Sequence, residues 1–446
     1  MAGKANDVKS NECNIGNRAP VILHLSDLHF GYDEGLQGYA RRKIVLDELI
    51  KVVSTQPDGW HPSIICITGD VAMRATVSDY EEAQKWLVRL MEATEIGCEN
   101  VVICPGNHDV DRKVADGYAP PLDSKVADRL LSYDHFTKHR EPFKKFVSFC
   151  KKAGIPHFAI GGKNSYLTGV RTVNGIRFVC CNSAWFSQRN VTIDNEHIDN
   201  GKLWLGLGLL EFLESGQSFP CIDTQSSSPI TVVLFHHPFE ILHYDERNKR
   251  NNRRSTKEFL AYRSHIILTG HEHGGISDPD KPHGRPFHFR AGATYDKPDY
   301  RNNFRLIKIE ENYLRDRAFE SDPTSATNLW SMTEESRPKL FWNVSEQITK
   351  THFEQEHRGN IERINHLISN IRSSIEDANY ENATKQSDDL GVLLDKSEMR
   401  LSQNEIQHFL LDYVELLTKL SNYVPEDEKS KLIERAKYFF RQATNV

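Results

Sequence analysis

The run Val101-Val102-Ile103-Cys104-Pro105-Gly106-Asn107-His108-Asp109 constrains the fold of this chain more than any other stretch. Its short apolar start reads as a strand buried on both faces, and a proline ends it. Gly106 lets the backbone turn sharply, and Asn107, His108 and Asp109 follow in a loop. Taken alone, the stretch fits either a surface turn or a reactive site, since Asn, Asp and Gly favour turns and buried polar groups need partners. Four other stretches repeat the design. Pro20 to Leu25 leads into Asp27 and His29, which point to the same side at strand spacing. Ser63 to Thr68 ends in Gly69-Asp70, Pro229 to Phe235 in His236-His237-Pro238, and Ser264 to Thr269 in Gly270-His271-Glu272-His273. In each, the polar residues follow the last apolar position. That gathers them at one edge of a sheet, where open α/β sheets bind their ligands.

Helical patterns separate the first strands. Ile44, Leu46, Leu49, Ile50 and Val53 recur at helical spacing between Tyr39 and Val53, and Trp86, Leu87, Leu90 and Met91 do so between Tyr80 and Ala93. Alternation of strand and helix over the first hundred residues indicates an α/β layer fold. From Asp111 to Phe158 the pattern weakens to a loop signal at Ala119-Pro120-Pro121 and a helix candidate from Tyr133 to Lys152, read as an insertion over the site. Val173-Asn174-Gly175 is a hairpin signal, where the sheet turns antiparallel. Phe287 to Ala291 and Phe304 to Ile309 are expected to finish the second sheet. Beyond about Glu320 the composition becomes polar and helix-favouring. Ile361, Ile364, Ile368, Ile371 and Ile375 form one stripe, Ile406, Phe409, Leu410, Tyr413, Leu417 and Leu420 a second, and Leu432, Ala436 and Phe439 a third.

The expected organisation is therefore a polar N-terminal extension over 1–19, an α/β domain over 20–320 with an insertion at about 111–158, a linker over 321–342 and a helical domain over 343–446. No apolar run approaches bilayer-spanning length, and the segment before Val21 is polar, which predicts no membrane association and no export. Cys66, Cys104, Cys180 and Cys181 lie within apolar runs, where thiols behave as small hydrophobes, and point to a reducing cytoplasm. A net charge of -6 argues against a generally basic nucleic-acid binder but leaves room for a local basic patch.

Asp27, His29, Asp70, Asn107, His236, His271 and His273 together offer more imidazole, carboxylate and amide donors than one metal ion usually takes. Two ions are the economical explanation, with Asp70 the best candidate for a shared carboxylate. The series Asp27-x-His29, Gly69-Asp70, Gly106-Asn107-His108-Asp109, His236 and Gly270-His271-x-His273 resembles the motif series of the calcineurin-like metallophosphoesterases, in the family's order, over about Val21 to Ile309. The resemblance implies a two-sheet β-sandwich flanked by helices, the αββα architecture, with the C-terminal all-α module appended. It implies two divalent transition-metal ions (Mn, Fe, Zn, Co or Ni). One would be held by Asp27, His29, Asp70 and His273, the other by Asp70, Asn107, His236 and His271, with Asp70 bridging and His237 a neighbour without a direct metal role. His108 would face the phosphate with Asn107, as proton donor or hydrogen-bond donor, and Asp109 would orient its imidazole. The implied reaction is in-line attack of metal-bound hydroxide on a phosphate ester.

The segment Gly69 to Arg74 lacks the tyrosine of purple acid phosphatases and the Asp-Arg-Gly continuation of the Ser/Thr protein phosphatases, and Asp109 stands where the latter carry Glu. Asp27 to Gly31 and Pro105 to Arg112 are most similar to the bacterial branch that includes cyclic-nucleotide phosphodiesterases. The expected substrate is a nucleotide-type diester, a cyclic nucleotide or a nucleic-acid strand. A repair-type nuclease, a monoesterase acting on phosphoprotein or metabolite, and a non-catalytic interaction scaffold are the rivals. Arg247, Lys249, Arg250, Arg253, Arg254 and Lys257 crowd the segment between two ligand loops. They read either as a cradle for a phosphate backbone, with Arg250, Arg253 and Arg254 its core, or as a solvated loop. The C-terminal helices could pair with a second copy or a protein partner, or simply pack on each other.

Overall fold

The computed structural model describes residues 19–32, 35–188, 199–216, 218–222, 229–249, 253–274, 279, 286–296, 301–310, 313–322, 325, 329–341, 364–394 and 403–444. Its strands are β1 (Val21–Leu25), β2 (Ile64–Thr68), β3 (Val101–Cys104), β4 (Phe158–Ile160), β5 (Lys163–Ser165), β6 (Gly169–Val173) and β7 (Ile176–Cys180). They continue as β8 (Thr231–Leu234), β9 (Ile266–Thr269), β10 (Phe287–Arg290), β11 (Asn303–Ile309), β12 (Tyr313–Ser321), β13 (Trp330–Glu335) and β14 (Lys339–Leu340). One sheet runs β13-β12-β11-β1-β2-β3 with β14 beside β12; the other runs β10-β9-β8-β7-β6-β4-β5.

The strands are apolar on both faces because each sheet is covered twice. In β1, Ile22 points into the core between the sheets, with Cys66, Val102, Val232 and Leu268, while Val21, Leu23 and Leu25 point outward. On that outer side lie the helix Gly35–Ser54, burying Val45, Leu46 and Leu49, and the helix Val77–Thr94, burying Trp86, Leu87 and Leu90. The second sheet mirrors this: Val232 and Leu234 face inward, and Val233 and Phe235 face outward with the other outer residues. The architecture is the two-sheet sandwich flanked by helices that the motif series implied.

Strands β1, β2 and β3 are parallel, as are β7, β8, β9 and β10, so each group ends at one edge of its sheet. The Asn174-Gly175 turn closes the β6-β7 hairpin with both residues at positive φ (48° and 77°), and Val173 pairs with Ile176. Those two left-handed residues match the twist of the strands.

Three expectations change. β10 joins the second sheet beside β9, but β11 pairs antiparallel with β1 in the first sheet. Residues 321–342, expected as a linker, hold β13 and β14, which hydrogen-bond to β12. Their exposed, polar edge-strand sequence hid them: Ser331 to Glu335 all face solvent. The helix expected over 133–152 begins only at Lys144, because Pro142 removes an amide donor and the preceding residues form short 3-10 turns.

The chain divides into two compact units, Met1–Trp342 and Asn343–Val446. Within the second, residues 364–376 are helical and are followed by the helices Tyr380–Leu394, Gln403–Leu420 and Glu426–Thr444. Ile364, Ile368, Ile371, Leu410, Tyr413, Leu417, Leu432 and Phe439 form their common core. Tyr380–Leu394 has no counterpart among the three expected stripes; Ala383 and Leu390 are its buried contributions, too few to mark a stripe. Ile361 lies outside the described residues. No described helix is long and apolar enough to cross a membrane.

Candidate metal centre

Five loops leave the aligned strand ends and converge. His236, just after β8, donates from Nδ1 to the carbonyl of Thr68 at the end of β2, 2.7 Å away, and so ties one sheet to the other. Two glycines make this approach possible. A side chain on Gly69, whose φ is +91°, would place a carbon 2.6 Å from His236 Nδ1, and one on Gly106 would collide with the Asp70 carboxylate. Asp27, His29, Asp70 and His271 adopt positive φ of 53°, 47°, 53° and 70°. Left-handed backbone costs a side-chain-bearing residue roughly 1 kcal/mol or more, and four such residues at one site are strain held in place by the surrounding structure.

Asp70 sits at the middle. Its Oδ2 lies 3.6 Å from His29 Nε2 and 3.2 Å from His236 Nε2, and its Oδ1 accepts a hydrogen bond from the His108 amide at 2.8 Å. To one side, Asp27 Oδ1 stands 3.9 Å from His29 Nε2 and 3.6 Å from His273 Nε2. To the other, His236 Nε2 and His237 Nε2 lie 3.1 and 3.0 Å from Asn107 Oδ1, and the His271 ring packs edge-on to His236 and tilted against His237. All seven residues expected as ligands are brought together. Donor atoms fall within 4.8 Å of one another in the groups Asp27-His29-His273, Asp27-Asp70-His236, His29-Asp70-His108 and His236-His237-His271.

His237 is the residue sequence reasoning set aside. Its Nδ1 pairs with the hydroxyl of Ser183 at 2.8 Å, which leaves Nε2 aimed at the donor cluster. The doubled histidine was the available signal, but only the fold shows that both rings reach Asn107.

The donor set can hold divalent metal. His29 Nδ1 is 3.2 Å from the Tyr295 carbonyl, His236 Nδ1 is on Thr68, and His273 Nδ1 is 3.2 Å from an Asp296 carboxylate oxygen. A carbonyl or carboxylate can only accept, so each Nδ1 carries a hydrogen and each Nε2 is the nitrogen turned into the donor cluster, the arrangement of metal-ligating histidines. Asp27 Oδ1 and His29 Nε2 are buried with no hydrogen-bond partner among the described residues. A buried carboxylate oxygen and imidazole nitrogen left so are costly unless a cation joins them. Burial drives His271 down to about 3, keeping its lone pair available at neutral pH. Burial opposes charge on His236 too, but the Asp70 and Asp27 carboxylates outweigh it and push the imidazole up to about 9. Asp70 itself stays well below the usual carboxylate range, since His236 and His108 overcome its burial.

His108 lies beside this cluster, its ring 5.1 Å from that of His29. Its Nδ1 donates to the Met73 carbonyl at 2.8 Å, making Nε2 the basic nitrogen, and burial pushes the group down to about 4. Arg112 brings a guanidinium nitrogen within 3.5 Å of the ring. Asp109 does not orient His108, contrary to expectation. Its two oxygens accept from the amides of Val71, Ala72 and Gly106 and from the Tyr80 hydroxyl, at 2.9 to 3.2 Å, which fills the acceptor capacity of the carboxylate. Asp109 pins two ligand loops together, and Met73 holds the histidine.

Two of the three expected substrate-binding arginines have carboxylate partners. Arg253 makes a two-pronged pair with Asp128, 2.8 Å on each side, and Arg254 reaches Glu211 at 3.2 Å and Glu214 at 2.8 Å. Both guanidiniums are paired with carboxylates from elsewhere in the fold, which favours a structural role over an open phosphate cradle. Arg250 lies outside the described residues.

The calcineurin-like phosphoesterase family model matches residues 20–275, more than half of the chain, and the chain belongs to that family. It is a metal-dependent phosphoesterase of a family that binds two divalent metals, acting on phosphate esters. Among solved structures it is similar to a dimetal phosphatase from Danio rerio, with 10% identity over 72% of this chain and 100% of that one and a TM-score of 0.39. It is also similar to Entamoeba histolytica Vps29 complexed with zinc, with 9% identity over 71% and 98% of the two chains and a TM-score of 0.29. Chaetomium thermophilum Vps29 gives 11%, 73%, 100% and 0.26. No curated protein matches the chain in sequence. The family assignment rests on the sequence match.

Proposed function

We propose that this enzyme is a phosphodiesterase acting on a nucleotide-type diester, a cyclic nucleotide or a nucleic-acid strand. The observation that carries the reading is His108, held by Met73 with its basic nitrogen beside the donor cluster. A nucleotide diester expels a sugar alkoxide, a poor leaving group that needs a proton as the bond breaks. In this reading Nε2 of His108 takes up a proton once the anionic ester is bound beside it and passes that proton to the leaving oxygen. Arg112, within 3.5 Å of His108, supplies a positive charge next to the position of a singly charged diester.

In this reading Asp27, His29, Asp70 and His273 hold one divalent ion, and Asp70, Asn107, His236 and His271 the other, with His237 beside the second. The bound ions supply Lewis-acid stabilisation of the charge that develops on the phosphoryl oxygens. Asp70 links the two groups, and Asp109 fixes the loop spacing by tying Val71 and Ala72 to Gly106. Five buried cysteine thiols with no disulfide among the described residues support a cytoplasmic location. Exposed Phe440 on the last helix is in keeping with a role for the C-terminal unit in contacting a second copy or a protein partner.

The deciding experiment is a hydrolysis panel of the metal-loaded protein against a phosphomonoester, a 2′,3′- and a 3′,5′-cyclic nucleotide, and single- and double-stranded nucleic acid. Faster turnover of a diester than of the monoester is the expected result. A preference for the monoester overturns the reading.

A further inference from the structure

A second charged site lies in the 111–158 insertion and its neighbouring strands. A cavity of about 750 Å³ is lined there by Lys138, Arg140, Lys144 and Lys151 among others. None of the seven metal-centre candidates lines it. The helix Lys144–Lys152 supplies Lys144, Val147, Ser148 and Lys151, spaced i, i+3, i+4 and i+7, so one helix face forms a wall with a cation at each end. Glu141 is the one carboxylate in the lining, and it pairs with Lys144. Lys138, Arg140 and Lys151 form no ion pair among the described residues. The contrast with Arg253 and Arg254 is direct: there each guanidinium has its own carboxylate, and here one carboxylate stands among four cations in a protein whose net charge is -6.

The rest of the lining is not a bare lysine patch. Tyr118 and Tyr166 are half-buried in the wall, Tyr166 lies against His157 with ring centroids 6.3 Å apart, and Leu167 is buried at the base. Clustered cations focus a positive field that attracts phosphate groups. Flat, partly buried aromatic faces accept a nucleobase whatever its identity. The volume is that of a small-molecule pocket, not of a groove for a long strand.

We propose that this cavity binds a nucleoside polyphosphate, with the phosphates on Lys138, Arg140 and Lys151 and the base against Tyr118 and Tyr166. The site is joined to the metal centre through one loop: the Asp111 amide donates to the Pro142 carbonyl at 2.8 Å, and Lys145 pairs with Asp111 at 2.7 Å. Asp111 follows the Asn107-His108-Asp109 loop by two residues, so the ligand sits on a segment continuous with the reacting one. The proposal stands whatever ester the metal centre hydrolyses.

The test is calorimetric titration of the full-length, metal-loaded protein with the slowly hydrolysed ATP analogue AMP-PNP in excess Mg²⁺, with tripolyphosphate as a second probe. The wild type should bind AMP-PNP saturably. Lys138→Glu combined with Lys151→Glu should weaken binding at least tenfold while hydrolysis of bis(p-nitrophenyl) phosphate stays within twofold, which also reports folding. Should the double reversal fail to fold, Lys138→Ala and Lys151→Ala, each at an exposed position, should each weaken binding about threefold. Tyr166→Ala should weaken AMP-PNP binding and leave tripolyphosphate binding unchanged. Asp70→Asn should bind the analogue as the wild type does. The proposal is overturned if the wild type shows no saturable binding, if the lysine variants bind unchanged, or if Asp70→Asn abolishes binding, which would place the ligand in the metal centre. Equal loss of both probes in Tyr166→Ala removes the nucleoside from the ligand.

Discussion

Two clusters of polar residues lie close together in this sequence, and the fold gathers one and disperses the other. His236, His271 and His273 stand at strand ends and bring ring nitrogens into the donor groups that hold Asp70 and Asp27. Between them, Arg253 and Arg254 stand on a loop and disperse, each captured by acidic residues of other elements. A strand end has a fixed position: parallel neighbours bring it to a common edge, and one register places several side chains at once. A loop charge is placed by whatever carboxylate the fold brings near it. Density of charge in sequence therefore predicts a site only where sheet geometry also fixes the positions.

The comparison is broken most sharply at Asp70. Asp70→Asn removes the charge and one strong donor oxygen from the residue that touches both groups of ligands. Bound metal, measured by mass spectrometry, should fall from about two ions towards none, and hydrolysis of an activated diester should fall by about 10³-fold or more. Retention of two ions would show that the strand-end cluster does not depend on its centre.

His108→Ala should leave metal content near two and lower turnover by about 10²-fold on a nucleotide diester, the scale of a removed general acid. On an aryl diester, whose phenolate leaves without a proton, the loss should be smaller. Collapse of metal content would instead make His108 a ligand, consistent with its membership of the group with His29 and Asp70. Asp109→Asn offers a control: with its carboxylate committed to backbone amides and Tyr80, the substitution should lower stability along with activity.

Much of this was legible in the residues. The five apolar runs that end in His, Asp or Asn gave the strands and the gathering of their polar ends, which the fold spreads over two facing sheets instead of one edge, and the order of motifs identified the family. Roles set by hydrogen bonding were not legible. Nothing in Asn107-His108-Asp109 says that Met73, thirty-five residues away, holds the imidazole, because a backbone carbonyl leaves no mark on residue type. The second histidine of His236-His237 looked redundant until Ser183 was seen to turn its ring inward. The positive φ of Asp27, His29, Asp70 and His271 is likewise invisible, since glycine marks such positions and these residues are held there by packing. β13 and β14 were missed because one-sided edge strands lack the apolar run that betrays a buried one.

If the arginine cluster is structural, Arg253→Ala should cost stability rather than activity. The side chain is 15% exposed and pairs with Asp128 while standing 3.6 Å from the fully buried Glu246. Its removal strands a buried carboxylate, so a loss of about 3 kcal/mol in chemical unfolding is expected, with kcat on a model diester within twofold. A rise in KM for nucleic acid at unchanged stability would restore the phosphate cradle.

Glu246→Gln gives the smallest and most conditional effect. Burial pushes this carboxyl up to about 7, with Arg253 pulling the other way. An acid whose folded pKa lies above its unfolded value imposes no ionisation penalty below the unfolded value of 4.5. The penalty grows as pH rises from there and is complete above about 7. The amide isostere carries no charge at any pH, so the variant should match the wild type at pH 4 and be the more stable protein at pH 8. The gain should be on the order of 1–3 kcal/mol, bounded by the size of the shift and reduced by the lost attraction to Arg253. Thermal unfolding at the two pH values reads the difference directly. A variant less stable than the wild type at pH 8 would mean that the Glu246–Arg253 attraction outweighs the cost of burying the charge, and the network would then be held together by its ion pairs rather than merely tolerating them.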